Sequence, residues 1–196
     1  EIASCLVGSE MCIRDRYYKG IFTTLSSCAS RQLEEVTFRR ATISVPELMA
    51  TAGKYFRKVY KGNKAHIDFK IQPLEGRITG DWNQLRFLLE NLIDEACSVT
   101  LDGAVCLSAR EDGEFIRFLF TDMRREKTRE ELNQLFYPDL SRMTAGEKGE
   151  LYGTEYLVCK QIIRDHDEFA GRRGCRINAE PGKEGGFTIY FTLPKK

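Results

Sequence analysis

The run DWNQLRFLLENLIDEACSVT, residues 81–100, decides how the rest of the sequence is interpreted. Asp81 stands where an N-cap residue belongs, because its carboxylate can accept hydrogen bonds from the free amides of a first helical turn. The apolar residues that follow recur with the 3.6-residue period of a helix with one buried face, at Leu85, Leu88, Leu89, Leu92, Ile93 and Ala96. The run therefore predicts a capped amphipathic helix from Asp81 through Val99.

Strands and helices are predicted on both sides of this helix. Upstream, a helix, an extended stretch, a second helix opened by Pro46, an alternating strand and a turn are expected at 17–39, 41–45, 46–60, 66–71 and 73–80. Downstream, two strands, a short helix, a polar loop, a longer helix and two closing strands are expected at 104–110, 115–121, 128–136, 139–150, 154–165, 176–180 and 187–193. This order predicts an α/β fold, a two-layer sandwich in which helices cover one face of a mixed β-sheet, preceded by a helix.

The composition excludes several classes of protein. The chain has 196 residues, 42% of them hydrophobic, and a net charge of +1, which argues against electrostatic binding to nucleic acid or to an anionic membrane. No apolar run is long enough to span a bilayer, so we expect a cytoplasmic module, either free or as the cytoplasmic part of a membrane-anchored protein. The seven cysteines form no CxxC pair and are expected to be reduced thiols.

The first 16 residues are interpreted as foreign to the protein. The codons of Met11–Arg16 can spell the transposase end sequence that a family of sequencing adaptors carries, although back-translation is degenerate and native residues are the alternative. Such a segment is left out of fold reasoning, as an expression tag would be. The expected organisation is an adaptor-derived segment at 1–16, the end of a helix at 17–40 and one α/β domain at 41–196.

Four blocks of the sequence, taken in order, resemble the motifs of sensor histidine kinases. Residues 81–100 resemble the N box, D-x-x-x-L-x-x-x-L-x-N-L-L-x-N-A-x-x-x-T, without a gap. Residues 121–138 and 153–166 resemble D-x-G-x-G…E-E-L…L-F-x-P and G-L-G-L-A-I-V-K-x-I-V-x-x-H, and residues 181–194 resemble the closing G-x-G-T-x-F-x-x-x-L-P. The resemblance covers about 42–194 and implies the GHKL (Bergerat-type) ATPase fold of those kinases.

The resemblance also implies a nucleotide site between the N-box helix and a mobile lid. Asp122 takes the position of the aspartate that accepts a hydrogen bond from the adenine amino group. Gly153, followed by Thr154, is the glycine that remains in the lid motif. Asn91 and Glu95 take the two N-box asparagine positions, the second of which helps to hold Mg²⁺ in the family. ATP and Mg²⁺ are thus the implied cofactors, with Asn91, Asp122, Gly153 and Thr154 as nucleotide-binding residues and Glu95 and Asn91 as metal ligands.

Four positions depart from the glycine motifs of the family. Arg124 and Glu126 replace the glycines after Asp122, where only glycine leaves room for the nucleotide and tolerates a positive φ. Leu151 and Glu155 replace two lid glycines, whose backbone amides would face the phosphates. Glu155 would also point a negative charge at the phosphates, which costs on the order of a few kcal/mol in a partly desolvated site. These changes argue against ordinary Mg-ATP binding.

Three functional hypotheses follow from the resemblance and its departures. The first is a catalytically degenerate pseudo-kinase that takes part in two-component signal transduction through dimerisation and partner contacts. The alternative is a divergent but active kinase domain, in which Arg124 or Arg172 replaces the lid contacts. The third is a pocket for a ligand with fewer phosphates than ATP, such as ADP or adenosine.

The phosphoacceptor and the partners are less well defined by the sequence. Neither His66 nor His166 stands in the H-E-x-x-T-P-like run of a phosphoacceptor, so no catalytic residue is assigned. His66 is expected on a strand facing solvent, and His166 is expected to be structural at a helix end. Residues 17–40 resemble the end of a dimerisation helix, which implies a homodimer. A response regulator or another signalling protein is the implied partner, and nucleic acid is not.

Overall fold

Seven strands and four helices make up the part of the chain that the computed structural model describes, residues 37–61, 65–136, 154–183 and 185–196. The strands are β1 Ala41–Ser44, β2 Ile67–Gln72, β3 Arg77–Gly80, β4 Gly103–Asp112, β5 Phe115–Asp122, β6 Ile177–Pro181 and β7 Phe187–Pro194. The helices are α1 Val45–Tyr60, α2 Trp82–Ser98, α3 Arg129–Gln134 and α4 Thr154–Phe169.

Five of the strands form a mixed sheet in the order β2-β4-β5-β7-β6. The pair β2 and β4 is parallel, because the chain between them crosses over through β3 and α2, and the other neighbours are antiparallel. Strands β1 and β3 form a separate antiparallel pair, and a bridge from Ile78 to Lys195 joins β3 to the residue after β7.

The core lies between one face of this sheet and the helices. Alternate residues of β5 are buried on that face, beginning with Ile116 and ending with Asp122, as the two-residue period of a strand requires. Helix α2 contacts both α1 and α4, and its buried face consists of the residues that the sequence predicts, Leu85, Leu88, Leu89, Leu92, Ile93 and Ala96. The predicted α/β sandwich is confirmed.

The two ends of α2 differ in how their free backbone groups are satisfied. The Asp81 carboxylate accepts hydrogen bonds from the amides of Asn83 and Gln84, at 2.9 and 3.1 Å, so the predicted N-cap is confirmed. The helix ends at Ser98, one residue before the predicted end. Its last turn carries no basic residue to offset the partial negative charge of a helix C-terminus.

The structure differs from the sequence predictions in three places. Residues 77–80, predicted as part of a turn, form β3, because pairing with β1 supplies hydrogen bonds that no local pattern reveals. Helix α4 continues past the predicted end at Asp165 to Phe169. The predicted upstream helix does not reach Arg39, because residues 37–40 have no helical structure and the Arg39 amide donates to Asp81 instead. The rest of that helix, the segment 1–16 and the loop 139–150 lie outside the described residues.

Candidate functional site

Asp122 is a carboxylate buried at the end of a central strand. It is the last residue of β5, where it pairs with Val105 of β4 and Phe187 of β7. The strand alternation places its side chain on the helix-covered face of the sheet, and the residue is 0% exposed. A buried carboxylate is strongly destabilising unless charged or hydrogen-bonding groups compensate it. The residues that follow it in the sequence supply that compensation.

Arg124 binds both oxygens of the Asp122 carboxylate. Its Nε donates to Oδ1 and its Nη2 to Oδ2, each at 2.8 Å, which is the bidentate geometry of a strong arginine–carboxylate pair. The Arg124 backbone amide also donates to Oδ1 at 3.0 Å. Neither side chain is accessible, with exposures of 0% for Arg124 and 1% for Asp122, so this ion pair is fully buried.

Arg124 also closes the C-terminal end of α2. Its Nη2 donates to the carbonyl of Ala96 at 2.7 Å, and its Nη1 donates to the carbonyl of Leu101 at 3.2 Å. The last carbonyls of a helix have no partner within the helix and carry a partial negative charge, which a guanidinium neutralises well. One side chain therefore connects the end of β5, the end of α2 and the loop between α2 and β4.

Gly103 makes room for the stem of this arginine. A Cβ at residue 103 would lie 2.9 Å from Cγ of Arg124, closer than such carbons approach, and the φ of Gly103 is +134°. Residue 103 is the first of β4 and pairs with Ile67 of β2. The inward position of Arg124 thus depends on a glycine 21 residues away in the sequence.

Arg125 connects Asp122 to Glu95. It donates to Oδ2 of Asp122 from Nε at 3.2 Å and lies within 3.1 Å of it through Nη2, while its Nη1 donates to Oε1 of Glu95 at 3.1 Å. The guanidinium also lies over the Phe187 ring, 5.3 Å from its centroid. Burial lowers the pKa of Arg125, but neighbouring Tyr156, Asp122 and Glu95 outweigh it and raise that pKa above its ordinary value. Arg125 therefore stays charged.

The structure brings some of the sequence-predicted site residues together and leaves others apart. Asp122 and Glu95 face each other across Arg125. Asn91 lies one turn before Glu95 on α2, and its side-chain amide donates to the carbonyl of Phe87 at 2.8 Å. Glu126, predicted as a rebuilt pocket position, is exposed. Leu151 and Gly153 lie outside the described residues, and Thr154 and Glu155 are described only as backbone in the first turn of α4.

Sequence reasoning missed what the two arginines do. The sequence identified Arg124 as the replacement of a family glycine, and it did not predict an arginine folded inward. The one available signal was the spacing, because a buried aspartate at the end of a strand with arginines two and three residues later can pair with both.

His166 is buried and fully hydrogen-bonded, as expected for a structural histidine. Its Nε2 accepts from the Asp81 amide at 3.0 Å, and its Nδ1 lies 2.8 Å from the carbonyl of Ile162, which fixes the proton on Nδ1. Gly80 passes so close that a Cβ there would lie 2.8 Å from Nε2. His66 is exposed directly before β2.

His166 predicts a stability that falls at mildly acidic pH. Burial lowers its pKa below the ordinary value of 6.5, although the Ile162 carbonyl and the Asp81 charge act in the opposite direction. Below about pH 6.5 the unfolded chain therefore binds a proton that the native chain excludes, so the free energy of unfolding decreases as the pH falls. From pH 7.5 to 5.5 we expect a loss of up to about 1 kcal/mol from this group, measured by urea unfolding.

The matched control for this measurement is His166→Gln, which cannot titrate but keeps an oxygen that can accept from the Asp81 amide. Its stability should change less between the two pH values than that of the parent chain, because only the parent gains a proton at residue 166 on unfolding. Equal losses in both proteins would show that His166 does not control the acid sensitivity.

Three further observations concern metal ligands, cysteines and membrane spans. Within residues 37–61, 65–136, 154–183 and 185–196, no three His, Cys, Asp or Glu side chains are grouped so that they could hold a metal ion. Cys106 and Cys175 are free thiols, and burial raises the pKa of Cys175 to about 12. None of the helices in these ranges has both the length and the apolar character of a membrane span.

Comparisons with known proteins agree with the fold and the motifs. The chain is 26% identical over 177 residues to the adaptive-response sensory kinase SasA of Thermosynechococcus vestitus, covering 89% of this chain but only 44% of SasA. Its fold is similar to that of histidine kinase AdeS of Acinetobacter baumannii, with a TM-score of 0.64 at 12% identity over 89% of this chain and 77% of AdeS. It is also similar to the catalytic domain of histidine kinase ThkA, with a TM-score of 0.60 at 17% identity over 80% of this chain and 98% of that domain.

The family model described as histidine kinase-, DNA gyrase B-, and HSP90-like ATPase matches residues 80–196. This range is more than half of the chain, and it contains α2 with its N-box pattern, Asp122 and α4. The chain therefore belongs to the histidine kinase-, DNA gyrase B- and HSP90-like ATPase family.

Proposed function

We propose that this chain is a histidine kinase-type signalling module whose nucleotide site is closed by its own arginines. In this role it is a pseudo-kinase that acts through dimerisation and partner contacts rather than through phosphotransfer. The observation that carries the proposal is the Asp122 carboxylate. It accepts hydrogen bonds from the Arg124 amide and from the guanidinium groups of Arg124 and Arg125.

Those contacts leave Asp122 no free acceptor site. An ionised carboxylate offers about four lone-pair directions. Oδ1 receives two N–H groups of Arg124, and Oδ2 receives Nη2 of Arg124 and the side chain of Arg125. An adenine amino group would have to displace Arg125 or the fully buried guanidinium of Arg124, and loss of Arg124 would also leave the carbonyls of Ala96 and Leu101 unsatisfied. The residues present do not fit an adenine at Asp122.

The position implied for the metal is similarly occupied. The Oε1 atom of Glu95 accepts from Nη1 of Arg125, so a divalent cation there would meet a guanidinium at close range. Like charges in a partly desolvated site repel by on the order of several kcal/mol. Asn91 offers an amide oxygen one turn away, but its side-chain nitrogen is held by the carbonyl of Phe87. The residues present therefore do not fit a magnesium ion unless Arg125 leaves.

The alternative, a divergent but active kinase domain, requires at least one of the two arginines to leave Asp122. Arg125 is the more accessible of the two, with an exposure of 17% against 0% for Arg124. The alternative in which Arg124 reaches the phosphates is disfavoured, because the side chain is turned toward α2 and Gly103. Under either function, we propose that the chain forms a homodimer through the upstream segment. A response regulator is the proposed partner, and the proposed location is the cytoplasm.

Calorimetric titration of the full chain with ATP, ADP and adenosine tests the closed site. We expect no binding heat with any of the three up to about 1 mM, with or without Mg²⁺, because each ligand must break the buried ion pair before adenine can reach Asp122. Thermal unfolding of the same sample shows that it is folded. Micromolar, Mg²⁺-dependent ATP binding by the parent chain would overturn the pseudo-kinase in favour of the active kinase.

The variant Arg124→Gly is the matched control for this titration. It restores one glycine of the family pattern and removes the guanidinium bonds to Oδ1 and Oδ2 of Asp122, while the backbone amide of residue 124 can still donate to Oδ1. Adenosine binding by this variant, in a sample that circular dichroism shows to be folded, would assign the closure to Arg124. A preference for ADP or adenosine over ATP in the parent chain would instead support the pocket for a ligand with fewer phosphates.

A further inference from the structure

Three consecutive residues, Phe38–Arg40, contact one end of the domain where two helices meet. We call them the strap. The backbone amide of Arg39 donates to Oδ2 of Asp81 at 2.7 Å, although the two residues are 42 positions apart. The Phe38 ring packs edge-on against His166, with 4.9 Å between ring centroids, and lies 5.8 Å from the Phe169 ring. The Arg40 guanidinium contacts Gly171 in the turn after α4.

Asp81 ties the strap to the first turn of α2. Its Oδ1 accepts from the amides of Asn83 and Gln84, and its Oδ2 accepts from the strap. One buried carboxylate thus satisfies the free N–H groups of the helix and a backbone N–H of the segment that precedes the domain. The same carboxylate caps α2 and binds the Arg39 amide, so a shift of this carboxylate changes both sets of hydrogen bonds.

His166 binds the backbone of Asp81. The Asp81 amide donates to Nε2 of His166, which is itself fixed by the carbonyl of Ile162 and by close contact with Gly80. The Phe38 ring covers the other side of the same imidazole. The strap, the N-cap of α2 and the last turns of α4 therefore meet at one histidine that has no room to move independently.

The strap itself has little to hold it apart from these contacts. Residues 37, 39 and 40 are exposed, and Phe38 is half-buried. Segments with few buried contacts open locally far more often than a core helix does. The strap is therefore the part of this junction that can detach while α2 and the sheet remain folded.

We propose that the strap is a reversible latch that couples the segment upstream of Phe38 to the first turn of α2. While the strap is docked, the Phe38 ring and the Arg39 amide hold Asp81 and His166 in the capping geometry. When the strap is pulled away, the first turn of α2 loses its cap and frays. The coupling is reciprocal, because anything that stabilises the first turn of α2 also stabilises the docked strap. The latch does not depend on whether a nucleotide binds.

Amide hydrogen exchange of the full chain, followed by NMR, tests the latch with the variant Phe38→Ala. This change removes the ring contact with His166 but leaves Asp81, His166 and the Arg39 amide in place. We expect exchange at Arg39, Asn83 and Gln84 to speed up together by about tenfold, while amides in the middle of α2 keep their rates. Those middle amides, Leu88 to Ile93, distinguish local fraying from global destabilisation.

Thr37→Ala is the matched control, because it changes the neighbouring exposed side chain and should leave all of these rates unchanged. A second measurement is trypsin cleavage after Arg39 and Arg40, which should accelerate in Phe38→Ala and not in Thr37→Ala. The latch would be refuted if the Arg39 amide exchanged faster while Asn83 and Gln84 kept their rates. It would equally be refuted if Phe38→Ala left all three amides unchanged.

Discussion

Replacing Asp122 with alanine is expected to lower the free energy of unfolding by about 3–5 kcal/mol, because it leaves the Arg124 guanidinium buried without its counter-charge. Arg124→Ala should cost less, about 2–3 kcal/mol, because the carbonyls of Ala96 and Leu101 lose their donor while Arg125 and the backbone amide of residue 124 still bind the carboxylate. The double variant should cost less than the sum of the two, by up to about 3 kcal/mol, because the buried guanidinium of Arg124 and its counter-charge are removed together. Urea unfolding of the four proteins measures this coupling.

The exposed pair Asp68 and Lys70 provides the control for that cycle. Its side chains approach within 3.1 Å but are 54% and 60% exposed, so water screens the interaction. Their single and double alanine variants should differ by less than about 0.5 kcal/mol from additivity. If the effects at Asp122 and Arg124 were additive as well, the two side chains would not form a buried ion pair in solution.

Gly186→Ala is expected to destabilise the chain by more than about 4 kcal/mol. A Cβ at this position would collide with the carbonyl oxygen of Asp122 and would lie 2.6 Å from Cα of Met123. Both obstacles are backbone atoms at the end of β5, which cannot rotate away as a flexible side chain would. The φ of +70° adds the cost of a left-handed conformation. Thermal and urea unfolding should show the loss directly.

Gly113→Ala separates the steric collision from the conformational cost. Gly113 has a φ of +59° in the turn between β4 and β5, and a Cβ there would meet no atom within 4 Å. This variant should therefore lose only about 1–2 kcal/mol. Equal losses at Gly113 and Gly186 would mean that β5 and β7 can separate to accommodate a methyl group.

Most of the fold follows from local patterns in the sequence. The period of the apolar residues on α2 and the Asp81 cap are both local signals, and both predict the helix to within one residue at its end. Strand β3 could not be predicted in this way, because four residues that end in a glycine are too few to show alternation. The end of α4 at Phe169 was also hidden, since the four residues before it, Asp165 to Glu168, are polar and show no apolar period.

The site was predictable in position but not in its contacts. The family patterns place Asp122 at the end of a strand and Glu95 on the N-box helix, and the structure brings both to Arg125. Whether Arg124 faces solvent or the core depends on the carbonyls of Ala96 and Leu101 and on the missing side chain at Gly103. Those groups are 21 to 28 residues away, and their approach is a property of the packed layers.

The buried guanidinium of Arg124 has a consequence for how this domain responds to its surroundings. A ligand that dissociates stabilises a protein by an amount that rises and falls with the ligand's concentration. Arg124 is part of the same chain as the Asp122 carboxylate that it binds and is only two residues away from it. Its effective concentration at that carboxylate therefore never changes. The order of the junction between α2 and β5 is therefore independent of the concentration of any ligand that can dissociate.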